Sequence, residues 1–511
     1  MKPIIKISIL TLLCFCFPDC KGQTNDSSIR PPAVAGKFYP ADPGKLNNAL
    51  KYFYEDAVKQ QYSAKPLGII VPHAGYIYSG QIAADAYNQV RNFDYDVIVI
   101  LGTNHTTANF NKISVYPKGA FRTPLGLAQI DAKITDMLLN EDSDCVTDIS
   151  PQETEHSVEV QVPFIQYIFP KAKIVPIVIG TSDLQLCAKF GRVLSKILKD
   201  KNALIVASSD LSHYPGYDDA VTTDKNTLDA IVKMNIENIS AEMDKQLNSG
   251  IPSLVTCACG EGPILTLVTY VNESGGNLAS LISSANSGNT LIGDNDRVVG
   301  YGAVAFYHTD QIIKSPGDET NNISNVNNKD LSNEDKQTLL NLARKSIEHY
   351  LTSETIPLPR NLSADLNIKQ GAFVTLKKNG ELRGCIGSMS EALPLYSVVG
   401  RMALAAAFND TRFQPLELSE LPDVEIEISV LTPFVKIKSA DDILLGRDGV
   451  ILKKNGKQAV YLPQVATETG WGKEKFLSQL CLKAGLNTDD WQTADLYTFR
   501  AEVFSESDFK K

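Results

Sequence analysis

Leu67-Gly-Ile-Ile-Val-Pro-His-Ala-Gly-Tyr76 is an apolar run that stops abruptly in a short motif carrying a histidine. The run does not alternate between apolar and polar residues, which suits a strand covered by helices on both faces. Val97-Ile-Val-Ile-Leu-Gly-Thr-Asn-His105 and Ala203-Leu-Ile-Val-Ala-Ser-Ser-Asp-Leu-Ser-His213 follow the same plan. Together they predict an α/β fold, in which ligands bind beyond the carboxyl ends of the strands. Ile174-Val-Pro-Ile-Val-Ile179 and Val298-Val-Gly-Tyr-Gly-Ala-Val-Ala-Phe306 read as two further strands, whose proline and glycines predict edges or bulges.

The chain has only six histidines, and four sit in short polar motifs that follow or lie between these strands: His73, His105, His213 and His156, the last in Glu155-His-Ser-Val-Glu159. A lone histidine after a strand is ordinarily a hydrogen-bonded structural residue. Four from one sheet, with a cysteine pair at Cys257 and Cys259, predict a metal-centred site instead. Glu155, His156 and Glu159 are expected to support that site from behind, although an acidic helix start has the same composition. Tyr76 and Tyr78 either line the pocket or belong to the core.

With 511 residues the chain exceeds one hydrophobic core, so two domains are expected. A net charge of -10 and the lack of a Lys/Arg cluster argue against a nucleic-acid partner. Met1-Lys-Pro-Ile-Ile-Lys6 followed by the apolar stretch from Ile7 to Phe17 reads as an export signal over 1–22. Either Cys20 becomes a lipid-anchored first residue or cleavage falls near Gln23, and both readings place the mature chain in the periplasm or cell envelope. The cysteines beyond the signal form no recognisable disulfide framework, and Cys145, Cys187 and Cys481 read as small buried residues.

Lys314-Ser-Pro-Gly-Asp-Glu-Thr-Asn-Asn is linker composition, which divides a domain at 29–309 from one at 330–511 through a linker at 310–329. The second domain opens with a capped helix at Leu331-Ser-Asn-Glu-Asp335 and continues with short strands, including the alternating Val424-Glu-Ile-Glu-Ile-Ser-Val-Leu431, and an apolar helix from Leu395 to Phe408. It is expected to be α+β.

The ordered motifs Pro72-His-Ala-Gly-Tyr76, Leu101-Gly-Thr-Asn-His105, Glu155-His-Ser-Val-Glu159, Ser208-Ser-Asp-Leu-Ser-His213 and Cys259-Gly260 resemble the Memo family, or AmmeMemoRadiSam system protein B, over about 30–307. Leu382-Arg-Gly-Cys-Ile-Gly387, Asp410-Thr-Arg-Phe413, Leu431-Thr-Pro433 and Tyr461-Leu-Pro-Gln-Val465 resemble the AMMECR family, AmmeMemoRadiSam system protein A, from 329 onward. The Memo resemblance implies the fold of class III extradiol dioxygenases, with His73, His105 and Cys259 as metal ligands and His213, beside Asp210, as acid or base. Two imidazoles and one anionic ligand leave coordination positions open for water, oxygen or substrate. The resemblance favours Fe(2+), while the ligand types also suit Cu or Zn. Glu261 is an alternative carboxylate to Cys259.

Asp210 and His213, three apart, would share the face of a helical turn, where the carboxylate could orient an imidazole that takes a proton from a phenol or water. In the second half Cys385 is either a reactive thiol, activated by Arg383 and Arg412, or a packed residue beneath a glycine turn. His349 reads as structural. The expected function is an exported redox or oxygenase-like metalloprotein acting on a small molecule or peptide, linked through the system name to a radical SAM protein. The rival is a non-catalytic peptide- or ligand-binding module that uses the same pocket.

Overall fold

A computed structural model describes residues 28–309 and 331–509. The export signal, Cys20 and the linker at 310–329 lie outside these residues. No helix among the described residues is long and apolar enough to cross a membrane.

The first half is built on an eight-stranded sheet. Its order is Leu278–Asn286, Gly300–Tyr307, Pro66–Val71, Ala203–Ser208, Val97–Thr103, Lys173–Ile179, Ile113–Val115 and Cys145–Val146. Pro66–Val71, Ala203–Ser208, Val97–Thr103 and Lys173–Ile179 run parallel, so three of them bring their carboxyl ends, and the motifs after them, to one edge. Successive residues of the apolar runs enter two separate cores: Ile69, Val71, Ile98 and Ile100 face one, Ile70, Val99 and Leu101 the other. That division explains the lack of alternation. Helices Pro43–Glu55 and Tyr76–Val90 cover one face, and Leu184–Leu198 and Glu261–Glu273 the other.

The strands expected at edges are interior. Lys173–Ile179 tolerates Pro176 because its carbonyl, and hence its nitrogen, faces the Ile113–Val115 side, where the ladder ends at Ile177 and the Pro176 oxygen accepts from Tyr116 N–H (3.1 Å) and Gln152 Nε2 (3.5 Å). Gly300–Tyr307 lies second from the edge and does carry a register shift at Phe306. One of its glycines sits against a buried carboxylate: a Cβ on Gly300 would meet Asp224 Oδ2 at 2.0 Å.

The second half holds two four-stranded antiparallel sheets. Glu381–Ser388, Ala372–Lys378, Val424–Leu431 and Ala501–Ser505 form the first, backed by helices Asn333–Ser353 and Leu395–Phe408. Ser332 caps the first of these helices by accepting from Asp335 N–H at 3.0 Å. Val435–Lys436, Asp495–Phe499, Gly449–Lys454 and Lys457–Tyr461 form the second, packed on Pro463–Thr469 and Lys473–Lys483.

The halves are joined by packing and by charge. His349 stacks on Tyr52 with ring centroids 3.9 Å apart. Arg360 clamps both oxygens of Asp85, a fully buried carboxylate that also accepts from Val58 N–H and the Ser283 hydroxyl.

Candidate metal centre

The peptide after Pro66–Val71 turns at Pro72, and Asp210 holds the turn by accepting from His73 N–H (2.7 Å) and Ala74 N–H (3.2 Å). Proton accounting then fixes the imidazole. Ser208 Oγ donates to the Ser157 carbonyl (2.6 Å), so toward Gln161 Nε2 (2.9 Å) and His73 Nδ1 (3.0 Å) it is the acceptor. His73 Nδ1 therefore carries the hydrogen, and its Nε2 lone pair faces Cys259 Sγ at 3.1 Å. His105 is set in the same way: Glu155 accepts from its backbone N–H (2.7 Å) and from Nδ1 (2.9 Å), which in the neutral tautomer puts the lone pair on Nε2.

Glu155 also accepts from His156 N–H and Ser157 N–H, both at 2.9 Å. Burial opposes its charge, but the hydrogen bond and charge of His105, the charge of His156 and the backbone donors hold its pKa down at about 2. The 155–158 turn reaches the His105 strand because Gly102 has no side chain: a Cβ there would meet Ser157 Oγ at 2.5 Å and Val158 Cγ2 at 2.6 Å. Ser157 Oγ in turn donates to the Thr103 carbonyl at 2.9 Å.

One ring nitrogen from each of His73, His105 and His156 lies within 4.8 Å of the other two, an arrangement that can hold a metal ion. His156, expected only to support the ligands, is thus a member of the cluster itself. Burial, then the neighbouring imidazoles, pushes the His73 pKa well below its usual value, and burial lowers His156 and His213 to about 4, so these rings are neutral at pH 7 and offer lone pairs. His213 Nε2 is buried without a hydrogen-bond partner, as a ring awaiting a ligand would be. The donor set fits a borderline metal such as iron, copper or zinc. A cavity of about 650 Å³ opens over the cluster, bounded by Phe38, Tyr78, Tyr214, Arg297 and Tyr301.

Several expected residues stand elsewhere. Residues 209–212 form no helix, and the Asp210 carboxylate supports the His73 turn rather than His213. Burial raises its pKa to about 7. Glu159 is spent on a buried ion pair with Arg30 (2.6 Å), on Ala33 and Val34 N–H and on the Tyr39 hydroxyl, so it anchors the start of the domain. Tyr76 is core, its hydroxyl donating to the Val160 carbonyl at 2.7 Å, whereas Tyr78 lines the cavity. Glu261 accepts from Ser240 at 3.0 Å. Cys259 contacts His73, and burial pushes its thiol pKa up. All six described cysteines are free of disulfides.

In the second half Cys385 accepts from Thr375 Oγ1 at 3.3 Å. The guanidinium groups expected to activate it are engaged by carboxylates, Arg383 by Glu420 (2.8 Å) and Arg412 by Asp410 (2.7 Å), and Arg412 reaches only the Cys385 carbonyl. Sequence reasoning missed Ser157, Gln161 and Ser208. For Ser208 a small polar residue at a strand end was the available signal, whereas Ser157 and Gln161 follow no strand.

The family model described as Memo-like protein matches residues 30–305, more than half of the chain. The chain belongs to the Memo family. An AMMECR1 model matches residues 340–504, so this Memo-family chain carries an AMMECR1 domain in its second half. MEMO1 family proteins of Caldivirga maquilingensis (37% identical over 290 residues) and Methanosarcina mazei (36% over 280) each align with 54% of the chain and with 99% and 98% of their own length. An uncharacterized protein of Pyrococcus horikoshii of known structure is 38% identical, with 34% of this chain and 93% of that chain covered and a TM-score of 0.33.

Proposed function

We propose that the Memo half binds a non-haem ferrous ion through His73 and His105, completed by His156 or Cys259, and acts as a redox or oxygenase-like enzyme on a small molecule or peptide. The observation that carries this reading is the convergence of three imidazoles beneath an open cavity. Such an ion would supply a Lewis acid and a redox centre. The protein's own contribution is to fix two lone pairs through Ser208 and Glu155, and to keep His213 neutral so that it can take a proton from a bound ligand.

Metal content of anaerobically purified protein, compared with His73→Ala, His105→Ala, His156→Ala and Cys259→Ala, tests the reading. Near-stoichiometric iron lost on removing His73 or His105 supports it, and the other two variants identify the third ligand. Copper or zinc in its place would change the chemistry but keep the site. Absence of any metal after reconstitution would favour a non-catalytic binding pocket.

The basic and apolar N-terminal stretch supports export to the envelope, with Cys20 as the candidate lipid anchor. Cell fractionation with mass analysis of the mature N-terminus separates lipidation from cleavage near Gln23. A functional link to a radical SAM protein rests on the family resemblance and is tested by co-purification.

A further inference from the structure

The loop between Leu278–Asn286 and Gly300–Tyr307 has two owners. Its neck belongs to the first half: Ser287 N–H bonds the Val299 carbonyl (2.9 Å), and Val299 bridges to His213. Its tip, Ile292, Gly293 and Asp294, forms one wall of the histidine cavity. The same three residues also line a cleft of about 1010 Å³ whose opposite side comes from the second half, including Lys369, Tyr396 and Arg401. The tip therefore stands between two open spaces; the first half ties it through Gly293 N–H to the Thr290 carbonyl (3.3 Å) and Tyr217 N–H to the Asn295 carbonyl (2.9 Å), and a further hold reaches it from outside.

That hold comes from helix Leu395–Phe408. Arg401 Nη2 donates to the Gly293 carbonyl, a charge-assisted bond onto the wall itself. One residue earlier, Gly400 leaves room for Leu291: a Cβ there would meet Leu291 Cδ1 at 2.5 Å. Leu291 is fully buried, sandwiched among Leu342, Ile356 and Leu404 of the second half and Ile77 of the first. Residue 293 must itself be glycine, because a Cβ would strike the Ser287 carbonyl at 1.8 Å.

We propose that the second half is a working part of the histidine pocket: Arg401 and Gly400 position the 291–294 wall and so set the width of the opening through which a ligand reaches the histidines. Arg401 is a positioning residue in this scheme. The hold on the pocket wall is independent of whether the histidines carry a metal.

Carbethoxylation by diethylpyrocarbonate, resolved by peptide mass spectrometry on the metal-free full chain, reads the opening directly, since His105, His156 and His213 line the cavity. His308, exposed and remote in the fold, serves as the reference, and His349, stacked on Tyr52, reports separation of the halves. In Arg401→Met the pocket histidines should react about tenfold faster, the scale set by losing one hydrogen bond to a charged group, with His308 and His349 unchanged. Arg401→Lys should recover part of the protection. Gly400→Ala, which displaces Leu291 without removing the cation, should give the same pattern. Unchanged pocket rates in folded Arg401→Met and Gly400→Ala would overturn the proposal, and so would a parallel rise at His349, because the halves would then have parted as bodies.

Discussion

Glu155 gathers four hydrogen bonds, two from His105 and one each from the backbone of His156 and Ser157. Glu155→Gln removes the charge and offers a donor where only an acceptor fits. Metal affinity, measured by chelator competition, should fall by about 10- to 100-fold, the usual effect of a lost partner behind a metal-binding histidine. Unchanged affinity would mean that the His105 ring is held by something else. His73 and His105 were legible in the sequence because each follows an apolar strand within four residues. His156 was legible only as a supporting residue, because no strand leads directly into it and its place depends on Ser157 hydrogen-bonding to Thr103, 54 positions away. The spacing of Asp210 and His213 suggested a helical turn, but the backbone there forms no helix and the carboxylate goes to His73 instead.

At the scale of the element, the strand Val97–Thr103 can deliver His105 to the cluster only if the 155–158 turn lies against its end. Gly102→Ala tests this. The added methyl has Ser157 and Val158 in its way, so overpacking should cost about 1–3 kcal/mol in denaturant unfolding. Metal affinity should fall in the same variant, and a loss of stability with full affinity would separate the turn from the site. The central strands were readable because both faces are buried, which leaves short continuous apolar runs bounded by turn residues. The position of Lys173–Ile179 was not, because whether Pro176 is tolerated depends on where the neighbouring short strand ends. That is a property of the pair.

At the scale of the molecule, Arg360→Ala would leave the Asp85 carboxylate buried without its cation. The cost should be roughly 3 kcal/mol, and Asp85→Asn should recover part of it in the double variant, as a denaturant double-mutant cycle would show. A neutral single variant would indicate that Asp85 is otherwise compensated. His349 adds a pH dependence: burial lowers its pKa to about 4 from the ordinary value near 6.5, so the unfolded chain binds the proton more readily. The stability it permits is full above about pH 6.5 and is lost as pH falls toward 4. His349→Phe should flatten the Tm decline over that window while keeping the ring stack. Neither contact was legible, since Asp85 and Arg360 lie 275 positions apart and nothing local marks them as partners.

The same separation bears on how the molecule is made. A ribosome delivers the chain from its N-terminus, so Asp85 emerges long before Arg360 exists. At ordinary synthesis rates the interval is on the order of tens of seconds. Throughout it the first half can collapse around its strands and give Asp85 its Val58 and Ser283 donors, but closing over the carboxylate leaves a buried charge without a counterion. Final tightening of the Memo half is thus expected late, after a good part of its C-terminal neighbour has been made, and the incomplete chain should be a client for chaperones.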